Sequence, residues 1–223
     1  MARIGGPDDM KDLTISRFRT ARGRILRRQI EKLADHLGRP VAILDVGGRP
    51  DYWDNVGHER ISEIRLLNID ENEIDRHGLS NLFTSEIGDA RNLKGYADKS
   101  VDLVHSNSVI EHVGAWPDMS AMASEMQRVG LSGWIQTPAW EFPIEPHFRL
   151  PFLHWFAPPI RRAALKLSRD YGASDIAVRR YHTDRINLLS YSEVRALFPK
   201  GDIYVERFIF SKSYSARWGP VGE

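Results

Sequence analysis

One stretch near the start of the chain, residues 41–50, restricts the possible folds more than any other. Its first six residues, Val-Ala-Ile-Leu-Asp-Val, form a short apolar run with three β-branched side chains, which is typical of a buried parallel strand. The run ends at Gly47 and Gly48, where the backbone can turn tightly and a ligand can approach without meeting a Cβ atom. The stretch therefore predicts a strand that leads into a ligand-binding turn.

A second apolar stretch, residues 64–69, ends at Asp70. Asp70 lies 22 positions after Gly48, close to the roughly 20 expected between the glycine turn of a nucleotide-binding fold and the acid that binds a ribose diol. An acid that ends a buried strand needs a polar partner, and a vicinal diol supplies two donors. The two stretches together predict an adenosine-type ligand at the carboxyl ends of parallel strands.

The rest of the chain alternates between strand and helix patterns, which indicates an α/β, Rossmann-like, doubly wound sheet. We expect seven strands, mostly parallel, with an antiparallel last strand. The predicted strands are 41–46, 64–69, 85–90, 101–106, 133–138, 203–210 and 213–218. Helices are predicted over 11–37, 52–56, 117–129 and 192–198; the first is interpreted as one long helix, with a break at the unfavourable Gly23 as the alternative. On the helix after residue 116 the apolar face is formed by Trp116, Met119, Met122, Ala123 and Met126.

The chain of 223 residues is expected to form a single domain, residues 1–223, with an N-terminal helical segment over 1–40. Residues 139–187 interrupt the strand–helix rhythm because several prolines prevent long regular elements. We interpret this segment as an insertion after the fifth strand that covers the strand ends. It is aromatic over 152–158, then basic and amphipathic over 160–167.

The composition excludes several classes of protein. No cysteine is present, so thiol nucleophiles, disulfides and cysteine-bound metals are excluded. No histidine–carboxylate pattern has metal-ligand spacing, so no metal site is expected, and a Gly-x-Ser-x-Gly hydrolase motif is absent. The N-terminus lacks the apolar core of a signal peptide, and no run of about 18 apolar residues occurs, so we expect a cytoplasmic protein.

Charge is unevenly distributed along the chain. Residues 1–40 carry a net charge of +5, residues 41–140 carry −8 and the remainder carries +4. The simplest interpretation is solvated surface. The alternative is an acidic nucleotide-binding body with basic flanks that meet an anionic acceptor or a membrane. No nucleic acid partner is expected. Peripheral membrane contact through Phe152, Leu153, Trp155 and Phe156, with Arg161, Arg162, Lys166 and Arg169 on headgroups, is the less favoured reading of the insertion.

Residues 40–140 carry an ordered set of motifs that resembles the class I S-adenosylmethionine-dependent methyltransferases, in particular the small-molecule group. Residues 43–48 resemble the first motif, whose backbone holds the methionine part of the cofactor, and Asp70 matches the acid that binds the ribose. Residues 88–90, Gly-Asp-Ala, resemble the turn that faces adenine, which implies contacts from Asp89 and Ala90. Residues 102–113 are similar to the segment beside the transferable methyl group, and the helix start at 189–194 also resembles the family. The departure is at 49–53, where Arg-Pro-Asp-Tyr-Trp replaces the usual third glycine.

Individual side chains have more than one interpretation. Asp45 is either a structural acid near the turn or a contact to the cofactor ammonium group. Asn107 is expected at the cofactor through its position, whereas His105 is expected to be a core residue. His112 is a candidate catalytic base. His147 and Arg149, a polar pair among prolines and aromatics, are candidates for the acceptor pocket, with His147 as a second possible base.

The sequence therefore predicts an S-adenosylmethionine-dependent methyltransferase that acts on a small-molecule or glycan-type acceptor, at oxygen. Two alternatives stay open. One is a non-catalytic cofactor-binding or interaction protein on the same fold, because a fold alone does not establish activity. The other is a nicotinamide-dependent reductase, which the incomplete glycine motif and the acidic turn at 88–90 disfavour.

Overall fold

The computed structural model describes residues 7–70, 81–144, 150–168 and 171–220, with side chains from Arg17 onward. Its centre is a seven-stranded sheet in the order β3-β2-β1-β4-β5-β7-β6. Strands β1 to β5 are parallel, and β7 runs antiparallel between β5 and β6. The strands are β1 (Val41–Val46), β2 (Ile61–Asn68), β3 (Phe83–Ile87), β4 (Val101–Asn107), β5 (Gly130–Pro138), β6 (Asp202–Phe208) and β7 (Phe210–Trp218). The predicted Rossmann-like sheet with an antiparallel last strand is confirmed.

Helices cover both faces of the sheet. They are α1 (Pro7–Leu37), α2 (Trp116–Val129), α3 (Pro158–Ala164), α4 (Ile176–Asp184) and α5 (Tyr191–Leu197). Side chains alternate along a strand, so Val41 and Ile43 face α1 whereas Leu44 and Val46 face α2 and α5. Both sides of β1 are therefore buried, as the continuous apolar run predicts.

The prediction of one long first helix is confirmed, and the alternative of a break at Gly23 is not realised, because α1 is continuous through this residue. A Cβ atom at Gly23 would lie 2.7 Å from the carbonyl oxygen of Asn55. Glycine thus lets α1 pack closely against the connection between β1 and β2, and this contact outweighs its low helix propensity. That connection is a 3₁₀ helix, Pro50–Asn55, as short as the sequence predicts.

The apolar face of α2 is predicted correctly except at its start. Met119, Met122 and Met126 are buried in the core between α2 and the sheet. Trp116, predicted on the same face, is 43% exposed at the first residue of the helix. It precedes Pro117, and the apolar face turns into the sheet only from Met119 onward.

The insertion after β5 consists of short elements, as its prolines predict. It contains α3, α4 and two single-turn 3₁₀ helices, Leu153–Trp155 and Leu165–Leu167. Leu153, Leu165 and Ile186 form a small apolar core of its own. Backbone of the insertion returns to the sheet where Ala139 pairs with Leu189, so the segment is anchored at the carboxyl end of β5.

Candidate active site

The glycine turn after β1 is built for close approach of neighbouring groups. Gly47 has φ +67, and a Cβ atom there would overlap the side chain of Val109 in the loop after β4. A Cβ atom at Gly48 would overlap the carboxylate of Asp45. The Gly47 amide donates to the Leu67 carbonyl of β2 at 2.8 Å. Both glycines are therefore required by the local packing, which brings the ends of β1, β2 and β4 together.

Asp45 lies below this turn in a buried cluster of aromatic side chains. One of its carboxylate oxygens accepts a hydrogen bond from Trp53 Nε1 at 2.8 Å, and the other lies 2.6 Å from His105 Nδ1. Asp45 and His105 are register partners on β1 and β4 and are each 1% exposed. Tyr52 packs on the His105 ring with a centroid distance of 4.7 Å. The structural role considered for Asp45 is thus present, and His105 is a core residue as predicted.

A cavity of about 220 Å³ opens beside this cluster, between α1, the 3₁₀ helix and the carboxyl ends of β1 and β4. The predicted cofactor residues that line it are Asp45, Gly47, Gly48 and Asn107. Arg19, Arg22, Tyr52 and His105 line it as well. Sequence reasoning missed the two arginines, because nothing in the pattern of a long helix indicates which of its cations face a site some 20 residues further along the chain.

Two residues that line this cavity, His105 and Asn107, each have a buried polar atom that is not hydrogen-bonded to the described part of the protein. Neither His105 Nε2 nor Asn107 Oδ1 has a hydrogen-bond partner among the described residues, although both atoms are shielded from solvent. The amide oxygen of Asn107 is an acceptor, whereas His105 Nε2 accepts or donates according to the protonation of the ring. The cavity thus combines an unsatisfied amide acceptor with arginine donors. This combination fits the amino-acid end of S-adenosylmethionine, which carries an ammonium and a carboxylate group.

Asp70, the acid predicted to bind the ribose, does not directly follow the last residue of β2. β2 ends at Asn68, which is buried and donates its side-chain amide to the Gly48 carbonyl at 3.2 Å. Asp70 lies two residues further on and is exposed. The expectation that Asp70 ends a buried strand is therefore wrong, because Asn68 occupies that place. Asp70 still lies at the carboxyl edge of the sheet, and its role toward a ribose stays a prediction.

The acid predicted to face adenine is already bonded. The Asp89 carboxylate accepts hydrogen bonds from Arg91 Nη2 at 2.7 Å and from the Arg91 amide at 2.9 Å. These bonds hold the pKa of Asp89 below its usual range. The Asp89 side chain thus caps the turn that follows it, and an adenine amino group would share Asp89 with Arg91. Ala90 is buried in the core between the sheet and α2.

A second polar group lies on the acceptor side, just after β4. Glu111 is fully buried, and its carboxylate accepts a hydrogen bond from Thr137 Oγ1 of β5 at 3.0 Å. Its backbone carbonyl accepts from the Asn187 amide at 2.9 Å, which ties the end of the insertion to this loop. The imidazole Nε2 of His112 lies 4.0 Å from the Glu111 carboxylate. Sequence reasoning identified His112 but missed Glu111, although a carboxylate directly after the apolar residues Val109 and Ile110 was a visible signal.

Two predicted acceptor residues, His147 and Arg149, lie outside the described residues. The aromatic part of the insertion lies within the described residues. Rings of Trp140 and Phe152 lie 5.9 and 5.1 Å from that of Trp155, and all three side chains stay 40–45% exposed. Leu153, predicted to enter a membrane interface, is buried in the core of the insertion instead. Arg162 is 3.5 Å from Asp184, so it is not a free cation.

A larger cavity of about 560 Å³ lies elsewhere, on the face of the sheet under β1, β2 and β3. It exists because residues 88–100, which connect β3 to β4, form turns without a helix to cover that face. Its charged groups are paired with one another, as Arg65 donates to both Glu63 and Tyr96. Of the predicted cofactor residues, Asp89 lines this larger cavity. We assign the smaller cavity at the strand ends to the amino-acid end of the cofactor. In open α/β sheets ligands bind at the carboxyl ends of the strands.

None of the described helices is long and apolar enough to cross a membrane. Among the described residues, no group of three His, Asp or Glu side chains could hold a metal ion.

Comparisons with known proteins agree with this geometry. Residues 44–133, less than half of the chain, match the methyltransferase domain family. No curated protein matches the sequence. A solved magnesium protoporphyrin IX methyltransferase from Synechocystis PCC 6803, with bound SAH, shares 12% identity at a TM-score of 0.51, covering 97% of this chain and 90% of that one.

Two further solved structures share the fold. A putative O-methyltransferase from Nostoc punctiforme PCC 73102 has 12% identity and a TM-score of 0.52, covering 92% of this chain and 58% of that one. A chain described as a putative Zn-dependent alcohol dehydrogenase from Rhodobacter sphaeroides has 9% identity and a TM-score of 0.54, covering 86% of this chain and 89% of that one. At such low identities these similarities show the fold alone.

The fold is that of a Rossmann-like α/β protein, and its candidate ligand site lies at the carboxyl ends of β1 and β4. The match of residues 44–133 to the methyltransferase domain family supports the resemblance to class I S-adenosylmethionine-dependent methyltransferases, with S-adenosylmethionine as the cofactor.

Proposed function

We propose that this methyltransferase transfers the methyl group to an oxygen atom of a small-molecule or glycan-type acceptor. The observation that carries the proposal is the group formed by Glu111, His112 and Thr137 at the ends of β4 and β5. A hydroxyl acceptor loses its proton when it is methylated, so a nearby base assists the reaction. His112 is partly exposed, as a base that meets an acceptor must be, whereas Glu111 is fully buried.

S-adenosylmethionine supplies a methyl group that is already activated on a sulfonium, so the protein contributes mainly position. Thr137 holds the Glu111 carboxylate, and the Asn187 amide holds its backbone. Glu111 in turn lies near the ring nitrogen that would take up the acceptor proton. A buried carboxylate favours the protonated imidazole, because the attraction between opposite charges is weakly screened there. In this proposal His112 accepts the proton and Glu111 stabilises the imidazolium.

The acceptor class is supported by the aromatic surface next to β5. Trp155 Nε1 and His154 Nε2 both lie 2.9 Å from the Trp140 carbonyl oxygen, which fixes these rings beside the strand end. Partly exposed aromatic rings next to a few polar groups are typical of sites for small organic ligands. Flat ring faces also suit the apolar face of a sugar ring, which supports the glycan-type alternative.

The proposal is tested by incubating the protein with methyl-labelled S-adenosylmethionine and a panel of hydroxyl, amine and carbon acceptors, followed by NMR of the product. We expect methylation at oxygen. Replacing His112 with glutamine is expected to lower kcat about 100-fold, with unchanged affinity for S-adenosylhomocysteine. The pH profile should lose the limb that reports the base.

His36→Gln is the matched control, because His36 is exposed in the last turn of α1, at the opposite edge of the sheet. It should behave like the wild type. A product methylated at nitrogen or carbon would contradict the oxygen assignment. An unchanged kcat in His112→Gln would remove His112 from the mechanism.

A separate prediction concerns binding of the nucleoside end of the cofactor by Asp70. Asp70→Ala is expected to weaken S-adenosylhomocysteine binding by roughly 1–3 kcal/mol, because two ribose hydroxyls lose a charged acceptor. Isothermal titration calorimetry measures the change. Asp98→Ala is the control, since Asp98 is an exposed acid that pairs with Arg128 and lines neither cavity. Equal affinities of wild type and Asp70→Ala would mean that another residue binds the ribose.

A further inference from the structure

The cavity at the ends of β1 and β4 points to a specific way of holding the amino-acid end of the cofactor. We propose that Arg19 of α1 binds the carboxylate of S-adenosylmethionine, while Asn107 accepts a hydrogen bond from its ammonium group. Arg19 lies outside residues 44–133, so the matched methyltransferase motifs do not assign it. The inference rests on S-adenosylmethionine binding and adds the residues that select its zwitterionic end.

The first argument is the size of the cavity. Its volume of about 220 Å³ is below the roughly 300–1,000 Å³ of sites that enclose a whole drug-sized ligand. It therefore suits one part of the cofactor. The glycine turn and Asn107 place it at the end of β1 and β4, away from Asp70 after β2 and Asp89 after β3. The part it receives is the end opposite to the nucleoside.

The second argument is that the three arginines of the cavity differ. Arg49 Nε lies 3.1 Å from the carboxylate of Asp51, so its charge is compensated. Arg22 Nε lies 3.4 Å from the buried carboxylate of Glu206 on β6, which also accepts from Ser213 Oγ at 3.0 Å. Its charge is therefore compensated within the protein. Arg19 has no hydrogen bond or ion pair within the part of the chain that the structure describes. Arg19 is thus the cation of the cavity that is available for an anionic ligand.

The third argument is the positive potential around Arg19. Lys212 lies with its ammonium 3.6 Å from the centroid of the Phe18 ring, next to Arg19 along α1. Burial lowers the pKa of Lys212, Glu206 raises it, and Arg22 and Arg19 lower it further. Lys212 thus lies in the field of two further cations, Arg22 and Arg19, and of one buried acid, Glu206, which is paired with Arg22. A carboxylate from the ligand would reduce this excess of positive charge.

The fourth argument is the unsatisfied acceptor on the opposite wall. Asn107 Oδ1 is buried without a partner among the described residues, and an ammonium group is a donor only. The Asp45 carboxylate, which also lines the cavity, already accepts from Trp53 and pairs with His105. Its negative charge favours a cation in the cavity without a direct bond. A cationic donor and a neutral acceptor therefore lie on two walls that match a zwitterion.

The test compares ligands that differ only at this end. S-adenosylhomocysteine carries both charged groups, its decarboxylated analogue keeps the amine, and 5′-methylthioadenosine has neither. For Arg19→Gln we expect binding of S-adenosylhomocysteine to weaken at least about tenfold in calorimetry, as for loss of a charge-assisted hydrogen bond. Affinities for the decarboxylated analogue and for 5′-methylthioadenosine should change less than about twofold. The loss should shrink at high salt, which screens exposed charges.

Asn107→Leu tests the other wall, with a reduced affinity for both amine-containing ligands and an unchanged affinity for 5′-methylthioadenosine. Arg17→Gln and Arg24→Gln are matched controls, because both side chains are exposed on α1 and line neither cavity. Arg19→Gln is not expected to affect folding, since the side chain is exposed and makes no bond to the described part of the protein.

The outcomes separate this inference from the proposed function. If Arg19→Gln binds all three ligands as the wild type does, or weakens all three equally, the carboxylate assignment is wrong while the methyltransferase assignment stands. If the wild-type protein binds none of them, both the assignment and cofactor binding at this cavity are overturned. A tenfold loss limited to S-adenosylhomocysteine, with no methylation of any oxygen acceptor, would support Arg19 and contradict the proposed acceptor.

Discussion

Replacing Trp53 with alanine is expected to lower the free energy of unfolding by about 3–5 kcal/mol. Trp53 is fully buried in the core between α1 and the sheet. Its removal leaves a cavity that the neighbouring strands can fill only in part. It also removes the indole donor to Asp45, so a buried carboxylate loses one of its two partners. Both effects act in the same direction.

Thermal unfolding followed by circular dichroism measures this change, with a shift of about 2–4 °C expected per kcal/mol. Trp53→Phe separates the two causes, because it keeps most of the ring volume and loses the hydrogen bond. We expect it to cost about 1–3 kcal/mol. Trp116→Ala is the control, since that ring is 43% exposed at the start of α2 and should change stability far less. If Trp53→Ala and Trp116→Ala lowered the free energy of unfolding equally, the burial of Trp53 would not be a major source of stability.

The buried group of Asp45, Trp53 and His105 also shows which features could be predicted from the sequence and which could not. The apolar run of β1 and the glycine turn were predictable, because strand periodicity and the freedom of glycine are local properties. The partnership of Asp45 with His105 depends on the register of β1 against β4, two strands about 60 positions apart. Periodicity predicts that both are strands. It does not give the register that places an acid beside a histidine.

The site residues follow the same division. Candidate residues after strands β1, β3 and β4 could be proposed from the sequence because motifs mark those turns. Arg19 could not, since α1 carries many cations and only its packing on the Asn55 carbonyl shows which of them face the cavity. The prediction for Asp70 rested on its spacing from Gly48, and that spacing cannot distinguish it from Asn68, which is the residue that ends the buried strand.

The insertion illustrates a third case. Its composition correctly predicted short elements that are anchored near the end of β5. Composition did not distinguish Leu153, which is buried, from its exposed neighbours Phe152 and Trp155. Adjacent residues of an irregular segment point in directions that no simple period describes, so their exposure depends on the tertiary fold. Contact of these rings with a membrane surface stays a prediction.

The glycine turn provides the second large effect. Gly47→Ala is expected to destabilise the protein by about 2–5 kcal/mol, from two separate causes. An alanine at φ +67 costs roughly 1–2 kcal/mol because its Cβ crowds the following carbonyl oxygen. The new methyl group would also overlap the Val109 side chain, and overpacking adds about 1–3 kcal/mol. Because this overlap displaces the loop that carries Val109, next to Asn107, S-adenosylhomocysteine binding should weaken about tenfold or more.

The variant Gly38→Ala distinguishes the backbone cost of a positive φ from the cost of overlap with Val109. Gly38 has the same φ of +67 at the end of α1, and a Cβ atom there would meet nothing within 4 Å. Gly38→Ala should therefore show the backbone cost alone, about 1–2 kcal/mol, with unchanged binding. Combining Gly47→Ala with Val109→Ala should restore part of the lost affinity, because the overlap is relieved while the backbone strain remains. If Gly47→Ala and Gly38→Ala are equally mild and Gly47→Ala binds S-adenosylhomocysteine normally, the turn after β1 does not hold the cofactor.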